Sequence, residues 1–369
     1  MRFYHSCLRF IYEIYLRGKL FSIIILRNKS NRRNSYYPEY KLKSRFRQFV
    51  EEAIHVLKYG EINRFYQLYG FDVIGFRNSR DYIDYRSFMK RRNRLNLLPM
   101  NYSCILRDKS LFSAVATSYG FPCIKELGTY LATDNKVIPA NIKCFEGGGI
   151  LYLLRDNSEL FFKPNDAECG EGVFCLSYRN NSYFYDDVPI AMDDLQAKLS
   201  EKKGNFLIQT RLVQHTEMNR MYAHSVNTLR IVSVYNRSTE SVEILHTLLR
   251  VGTHGNIVDN WARGGLIIAV DSDGRLGEYG FYKPKFGGKT KAHPDSHIEF
   301  SSFIVPYFHK ALQMAKAFHR MLPGIHSIGW DVAIAPDGPI FIEGNDNWEI
   351  SMHQVFAGLK QEFDRLFID

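Results

Sequence analysis

Apolar positions recur at helical spacing in the first hundred residues and in short strand-like runs after that. Between Glu39 and Tyr69, Phe46, Val50, Ala53, Ile54 and Leu57 fall three and four apart, and Gly60 interrupts them, which predicts two short helices. Residues 80–98, with Tyr82, Tyr85 and Phe88, predict a further polar-basic helix that Leu98-Pro99 ends. No period-2 strand is visible before residue 100, so residues 1–100 read as a helical accessory region. Asp108 is placed to cap a helix running through Leu111, Val115 and Thr117 and stopped by Gly120 and Pro122.

From there, short apolar runs alternate with turns. Ile150–Leu154, Leu160–Phe162, Val173–Tyr178, Phe206–Gln209, Leu229–Tyr235, Val242–Arg250, Leu266–Val270, Ile328–Ile334 and Ile340–Glu343 read as strands. Asp271-Ser272-Asp273-Gly274 and Pro336-Asp337-Gly338-Pro339 read as hairpin turns. Phe308 to Met321 has helical apolar spacing. Hairpin strands with separate helices give an α+β class rather than a doubly wound sheet. The expected lobes are 101–208 and 209–369, behind the accessory region.

Charge changes the picture at one end only. The 369 residues carry 48 Lys+Arg and 39 Asp+Glu, a formal net charge of +9. Residues 1–50 alone hold twelve Lys/Arg against Glu13 and Glu39, so the rest sums to −1. With 45% hydrophobic and 24% charged residues, bulk disorder is excluded. The longest near-apolar run, Leu20–Leu26, falls far short of the ~20 residues of a membrane span. Six cysteines without a CxxC pair read as reduced thiols in a cytosolic protein, without a disulfide framework or zinc site. The basic end mixes its charge with Phe3, Tyr4, Phe10, Tyr12 and Tyr15. Residues 1–35 therefore read either as a helix docked on the chain's own body or as an interfacial helix on an anionic membrane. Nucleic acid is disfavoured, because a nucleic-acid fold carries its basic groups on the folded binding face.

Three stretches carry candidate chemistry. Asp331 and the pair Glu343 and Asn345 flank a tight turn, so an antiparallel hairpin brings three hard oxygen donors together, a set suited to Mg²⁺. A surface hairpin with solvated acids is the alternative. Lys163 precedes a small-residue loop holding Gly170 and Gly172, which suits phosphate cradling, though many such loops are plain turns. Arg230 lies among apolar neighbours and needs an anionic partner, a bound phosphate or a structural acid. Arg250, Asp259, Asn260, Arg263, Gly264 and Gly265 form a polar, glycine-marked stretch in which Arg250 or Arg263 can clamp a carboxylate. Lys283, Lys285 and Lys289 can reach phosphate or an acidic sugar, and His293 reads as an acid–base group or a loop histidine.

The order of these pieces resembles the ATP-grasp superfamily of glutathione synthetase and D-alanine–D-alanine ligase. More closely, the stretches Leu106–Lys109, Ile208–His215, Val226–Ile231, Val258–Gly265, His293–Ser296 and Ile328–Asn345 are similar to the sugar-transfer associated ATP-grasp family. The resemblance spans roughly residues 80–355; residues 1–79 match nothing. It implies an ATP-grasp fold of two α+β lobes gripping ATP. Lys109 and Lys163 would hold phosphates, Gly170 and Gly172 the flap over them, and Gln209, Arg211 and Leu212 the adenine pocket. Arg230 would meet the transferred phosphoryl group, and Asp331, Glu343 and Asn345 would bind Mg²⁺. The family hinge commonly carries Glu where this chain has Gln209. The implied activity is an ADP-forming carboxylate–amine ligase acting through an acyl phosphate on a bacterial surface-polysaccharide precursor, such as a capsule or O-antigen uronic acid, at the inner face of the plasma membrane. A sugar or hydroxy-acid kinase, or a nucleotide-binding partner of the glycan machinery, needs the same cradle. Cys169 in the flap then has no catalytic part.

Overall fold

Helices form where the spacing and the caps agree. In the computed structural model, which describes residues 2–29, 35–96, 102–140, 150–165, 172–322 and 324–368, the basic end forms α1 (Arg2–Lys29) and α2 (Arg45–Tyr59). The Ser44 side chain caps α2 at the Arg47 N–H, and Gly60, at φ 68°, turns the chain out of it. The second helix expected between Gly60 and Tyr69 does not form. Residues 64–75 make turns whose Tyr66, Leu68, Tyr69 and Phe71 are buried against Trp261, Ile267, Phe281 and Val355. Aromatic burial against the main body overrides helical spacing there. α3 (Tyr85–Asn96) matches the predicted basic helix, but Arg92 within it is buried.

α4 (Ser103–Arg107) and α5 (Lys109–Ser118) follow, with the Asp108 carboxylate accepting the Leu111 N–H at 2.9 Å, as its capping position predicts. A seven-stranded sheet comes next: β1 (Glu126–Leu131), β2 (Lys136–Pro139), β3 (Glu159–Pro164), β4 (Phe174–Arg179), β5 (Ser182–Tyr185), β6 (Val188–Ile190) and β7 (Asn205–Thr210). Their order is β2-β1-β7-β3-β4-β5-β6, with every pairing antiparallel. α6 (Ile150–Asn157) and α7 (Met192–Ser200) contribute Leu153, Leu154, Leu195 and Leu199 to this sheet's core. The run Ile150–Leu154, expected as a strand, is thus the start of a helix. A short apolar run does not distinguish the two.

α8 (Thr216–Met221) leads into the second sheet: β8 (Thr228–Asn236), β9 (Ser241–Val251), β10 (Leu266–Val270), β11 (Leu276–Phe281) and β12 (Lys289–Thr290), then α9 (Phe308–Arg320), β13 (Ser327–Ala335) and β14 (Gly338–Asn345). The order is β12-β11-β10-β9-β8-β13-β14. α9 lays Phe308, Ala311, Met314, Ala315 and Phe318 on this sheet, and α10 (Lys360–Leu366) closes the described chain against α3. A parallel bridge from Cys123 to Phe341 and the Phe341 N–H to Pro122 carbonyl bond (2.9 Å) tie the lead-in of β1 to β14. The two sheets meet there, over Lys109 and Lys163.

Candidate active site

Register assembles the charged centre. Asp331 on β13 lies opposite Glu343 on β14 and opposite Arg230 on β8, while Thr228 on β8 lies opposite Arg250 on β9. Residues paired across strands, or two apart along one, share a face, so these side chains converge. Between the pairs Asp331–Glu343 and Val332–Phe341 the β14 register slips by one residue. This bulge brings Ile342 to the cleft beside Glu343.

Asp331 is buried and held from two sides. Arg230 Nε stands 2.8 Å from Oδ1, and Arg250 Nη2 donates to Oδ2 at 3.1 Å. Arg250 also reaches Asp259 Oδ1 (3.4 Å) and, through Nε, Thr228 Oγ1 (3.0 Å). Asp259 Oδ2 accepts the backbone N–H of Thr228 (3.1 Å) and its hydroxyl. Of the two partners open to Arg230, the structure thus shows an acid. Burial pulls the Arg230 pKa down; burial acts on Arg250 too, but Asp259, Asp331 and Glu343 outweigh it and hold Arg250 up.

The lysines come from the other side of the cleft. Lys109, at the first turn of α5, donates to the carbonyls of Pro164 (3.1 Å) and Asn165 (3.3 Å), which brings it to the end of β3. Lys109, Lys163, Gln209 and Glu343 line one small cleft together with Phe112, Ser113, Cys123, Ile124, Phe341 and Ile342. Burial lowers the Lys163 pKa, with Glu343 opposing that shift and Lys109 adding to it. Gln209 is 5% exposed, and its Oε1 has no hydrogen-bond partner, a free acceptor at the cleft wall. Glu126, opposite Gln209 on β1, was not singled out by sequence; burial raises its carboxyl pKa to about 7, against hydrogen bonds from Ser113 and Ser110.

Several expected contacts lie elsewhere. Arg211 is exposed and pairs with Glu159 at 3.1 Å rather than facing the cleft, and Leu212 is half-buried beyond the end of β7. Gly172, at φ 70°, begins the described chain after the flap, while Gly170 and Cys169 lie outside the described residues. His293 corrects the reading as a substrate or acid–base group. It is wholly buried, Nε2 is bonded to the Gly252 carbonyl (2.8 Å), and Nδ1 accepts the N–H groups of Asp295 and Ser296. No ring atom is left for a ligand.

Asn260 caps a short 3-10 turn at the Ala262 N–H (2.7 Å), and Gly264 and Gly265 close the loop that presents Asp259. They act through the backbone. Arg263 is exposed, Lys283 lies over the Trp261 ring, and Lys289 pairs with Glu39 and stacks near Tyr37 and Tyr279. Thr228 was missed as a site residue, although its place in the Asn-Thr-x-Arg stretch was a signal.

The family profile of sugar-transfer associated ATP-grasp proteins matches residues 88–365. The chain belongs to that family. No curated protein matches this sugar-transfer associated ATP-grasp chain. Among solved structures it is similar to an ADP complex of N5-carboxyaminoimidazole ribonucleotide synthetase (8% identity, TM-score 0.43, covering 78% of this chain and 58% of that one). It is also similar to D-alanine–D-alanine ligase from Bacillus anthracis (11%, TM-score 0.37, 72% and 67%) and L-amino acid ligase from Bacillus licheniformis (11%, TM-score 0.39, 75% and 52%). The chain thus spans little more than half of the first and third of these relatives.

The donor set of this ATP-grasp chain divides the expected metal trio. Asp331 Oδ2 accepts from both guanidinium groups, and Oδ1, 2.8 Å from Arg230 Nε, is ion-paired with it but accepts no hydrogen bond. Asn345 Nδ2 donates to Glu343 Oε1 (3.2 Å) and to the Gly329 carbonyl (3.4 Å), which leaves the amide oxygen free to accept. Among the described residues no three His, Cys, Asp or Glu side chains converge on a metal position. Glu343 and Asn345 therefore fit a Mg²⁺ that completes its shell with phosphate oxygens and water, whereas Asp331 fits as the partner of the arginines.

Proposed function

We propose that this chain is an ATP-dependent ligase that activates a carboxylate as an acyl phosphate and joins it to an amine. The observation that carries the reading is the convergence of Lys109, Lys163, Gln209 and Glu343 on one cleft between the two sheets. Lys109 and Lys163 neutralise the phosphates, and the Gln209 amide oxygen accepts from the adenine amino group. Glu343 and Asn345 hold Mg²⁺, which supplies charge neutralisation at the transferring phosphoryl group. Arg230 and Arg250, fixed by Asp331, keep positive charge beside the point where the acyl phosphate forms. The loop carrying Gly170 and Gly172 covers the reacting groups and excludes water. Arg263 and Lys283, beside the Asp259 loop, offer an acidic sugar a binding edge, which supports a uronic-acid acceptor on a surface-polysaccharide precursor.

The test is product analysis by mass spectrometry with ATP and a panel of uronic acids and amino acids. A condensation product with ADP and phosphate supports the ligase. A phosphorylated acid or sugar with ADP alone overturns it in favour of a kinase.

A further inference from the structure

α1 is anchored on one side and bare on the other. Glu13 pairs with Arg17 at 2.9 Å and with Arg86 of α3 at 3.4 Å, Arg17 Nε donates to the Leu57 carbonyl of α2 at 3.3 Å, and Ile24 is fully buried. At 100° per residue, Tyr12, Tyr15, Lys19, Ile23 and Leu26 form a stripe roughly opposite these anchors. Tyr12, Tyr15 and Leu26 are 60%, 68% and 67% exposed. α2 repeats the arrangement. Glu52 and Val56 are buried, while Phe46, Ile54 and Leu57, on the other side, are 76%, 56% and 57% exposed. Docking on the body and an unpartnered apolar face are therefore both true of this hairpin, and the two readings left open by the sequence do not exclude each other.

We infer that the α1–α2 hairpin docks in the plane of an anionic lipid surface, with its exposed aromatic and aliphatic side chains in the headgroup region. Charge selects this occupant. Residues 1–59, which include all of α2, carry thirteen Lys/Arg against Glu13, Glu39, Glu51 and Glu52; Glu13 is tied to Arg17 and Arg86, Glu51 to Lys43 and Arg47, and Glu52 is buried. A second copy would set the same excess of positive charge against itself. An anionic bilayer offers both opposite charge and an apolar layer for Tyr15, Leu26 and Phe46. No described helix is long and apolar enough to cross a membrane, so the hairpin lies on the surface. The inference is independent of the reaction assigned to the cleft.

Co-sedimentation of the full chain with phosphatidylcholine vesicles, with and without phosphatidylglycerol, tests this. The chain should partition onto the phosphatidylglycerol vesicles and not onto the neutral ones, and salt should reverse it as screening shortens to about 3 Å at 1 M. The double variant Leu26→Ser, Phe46→Ser should bind about tenfold more weakly or less still, with its melting temperature unchanged, because both side chains stand in solvent. Equal sedimentation of variant and wild type, or equal sedimentation on both vesicle types, overturns the inference. So does a concentration-dependent dimer in gel filtration that the same double variant dissolves. The salt series on the wild type needs no variant and reads the charge dependence alone.

Discussion

Asp331 and Glu343 face each other across β13 and β14, and their surroundings set their proton affinities apart. Burial pushes Asp331 up to about 7 against the pull of Arg230 and Arg250. Desolvation acts against Glu343 too, but a hydrogen bond from Asp331 and the Arg230 charge bring it down to about 2. At neutral pH the charge of the pair thus rests first on Glu343, the carboxylate that lines the cleft.

This split predicts a pH signature. Between 3.8, the ordinary value, and about 7, folded Asp331 keeps a proton that the unfolded chain has released. Stability from this group therefore falls as pH rises through that window and is flat above it. Glu343 acts in the opposite sense, contributing above 4.5 and losing that contribution as pH falls toward about 2. Asp331→Asn keeps the shape and removes the titration. The melting temperature of the wild type minus that of the variant should decline from about pH 4 to about pH 7; parallel curves would refute the assignment.

Glu343→Gln and Asn345→Ala remove the two oxygens assigned to Mg²⁺ and leave the core untouched, since both side chains are half-buried, Glu343 at the cleft and Asn345 bonded to it. Turnover of ATP to ADP should fall by at least about a hundredfold in each, as for other electrostatic groups at a reacting centre. Thermal stability should change little in Asn345→Ala, whereas Glu343→Gln should lose the stability that the Glu343 charge contributes above pH 4.5. Activity retained at saturating Mg²⁺ would remove both from the metal site.

Lys163→Ala should weaken nucleotide binding by about tenfold or more in isothermal titration, because a buried ammonium beside Glu343 is placed for phosphate. The affinity for the acid substrate should move less. Unchanged nucleotide affinity would make the Lys163 loop a plain turn.

How much of this was legible in the sequence follows from which forces are local. The turn at Pro336–Pro339 announces the β13–β14 hairpin, but its register carried straight on would set Asp331 opposite Ile342; the bulge that pairs Asp331 with Glu343 was not legible in the chain. Asp108 announces α5 through its cap and thereby places Lys109. Arg92 was not legible. It sits in the basic run Lys90–Arg94, which reads as a solvated face, yet it is 2% exposed and bonded to the Trp348 carbonyl and to Asn347 Oδ1 (2.5 Å), gripping the chain just beyond Asn345. His293 misled in the same way. A histidine before Pro294-Asp295 looks available until tertiary packing buries it as a brace for its own turn. Strands β1, β2, β5 and β6 are short and lack strict alternation, so only their pairing in the sheet defines them.

Gly265 offers the last prediction, because here a backbone requirement controls a charged site at one remove. A Cβ at this position would stand 2.4 Å from the Asp259 carbonyl oxygen and 2.9 Å from that of Val251. Both are main-chain atoms and neither can swing aside, so Gly265→Ala must displace the loop carrying Asp259, at a cost of about 1–3 kcal/mol. Asp259 holds Arg250 and Thr228, and Arg250 in turn holds Asp331. The strain therefore reaches the arginine pair without touching the nucleotide contacts of Lys109, Lys163 or Gln209. Gly265→Ala should lower the melting temperature by several degrees and reduce kcat, while ATP affinity measured by titration stays near that of the wild type. Gly288→Ala, with nothing within 4 Å of the added carbon, is the matched control and should leave the melting temperature where it was. If Gly265→Ala lost stability but kept full kcat, the Asp259–Arg250 contact would have no part in the reaction.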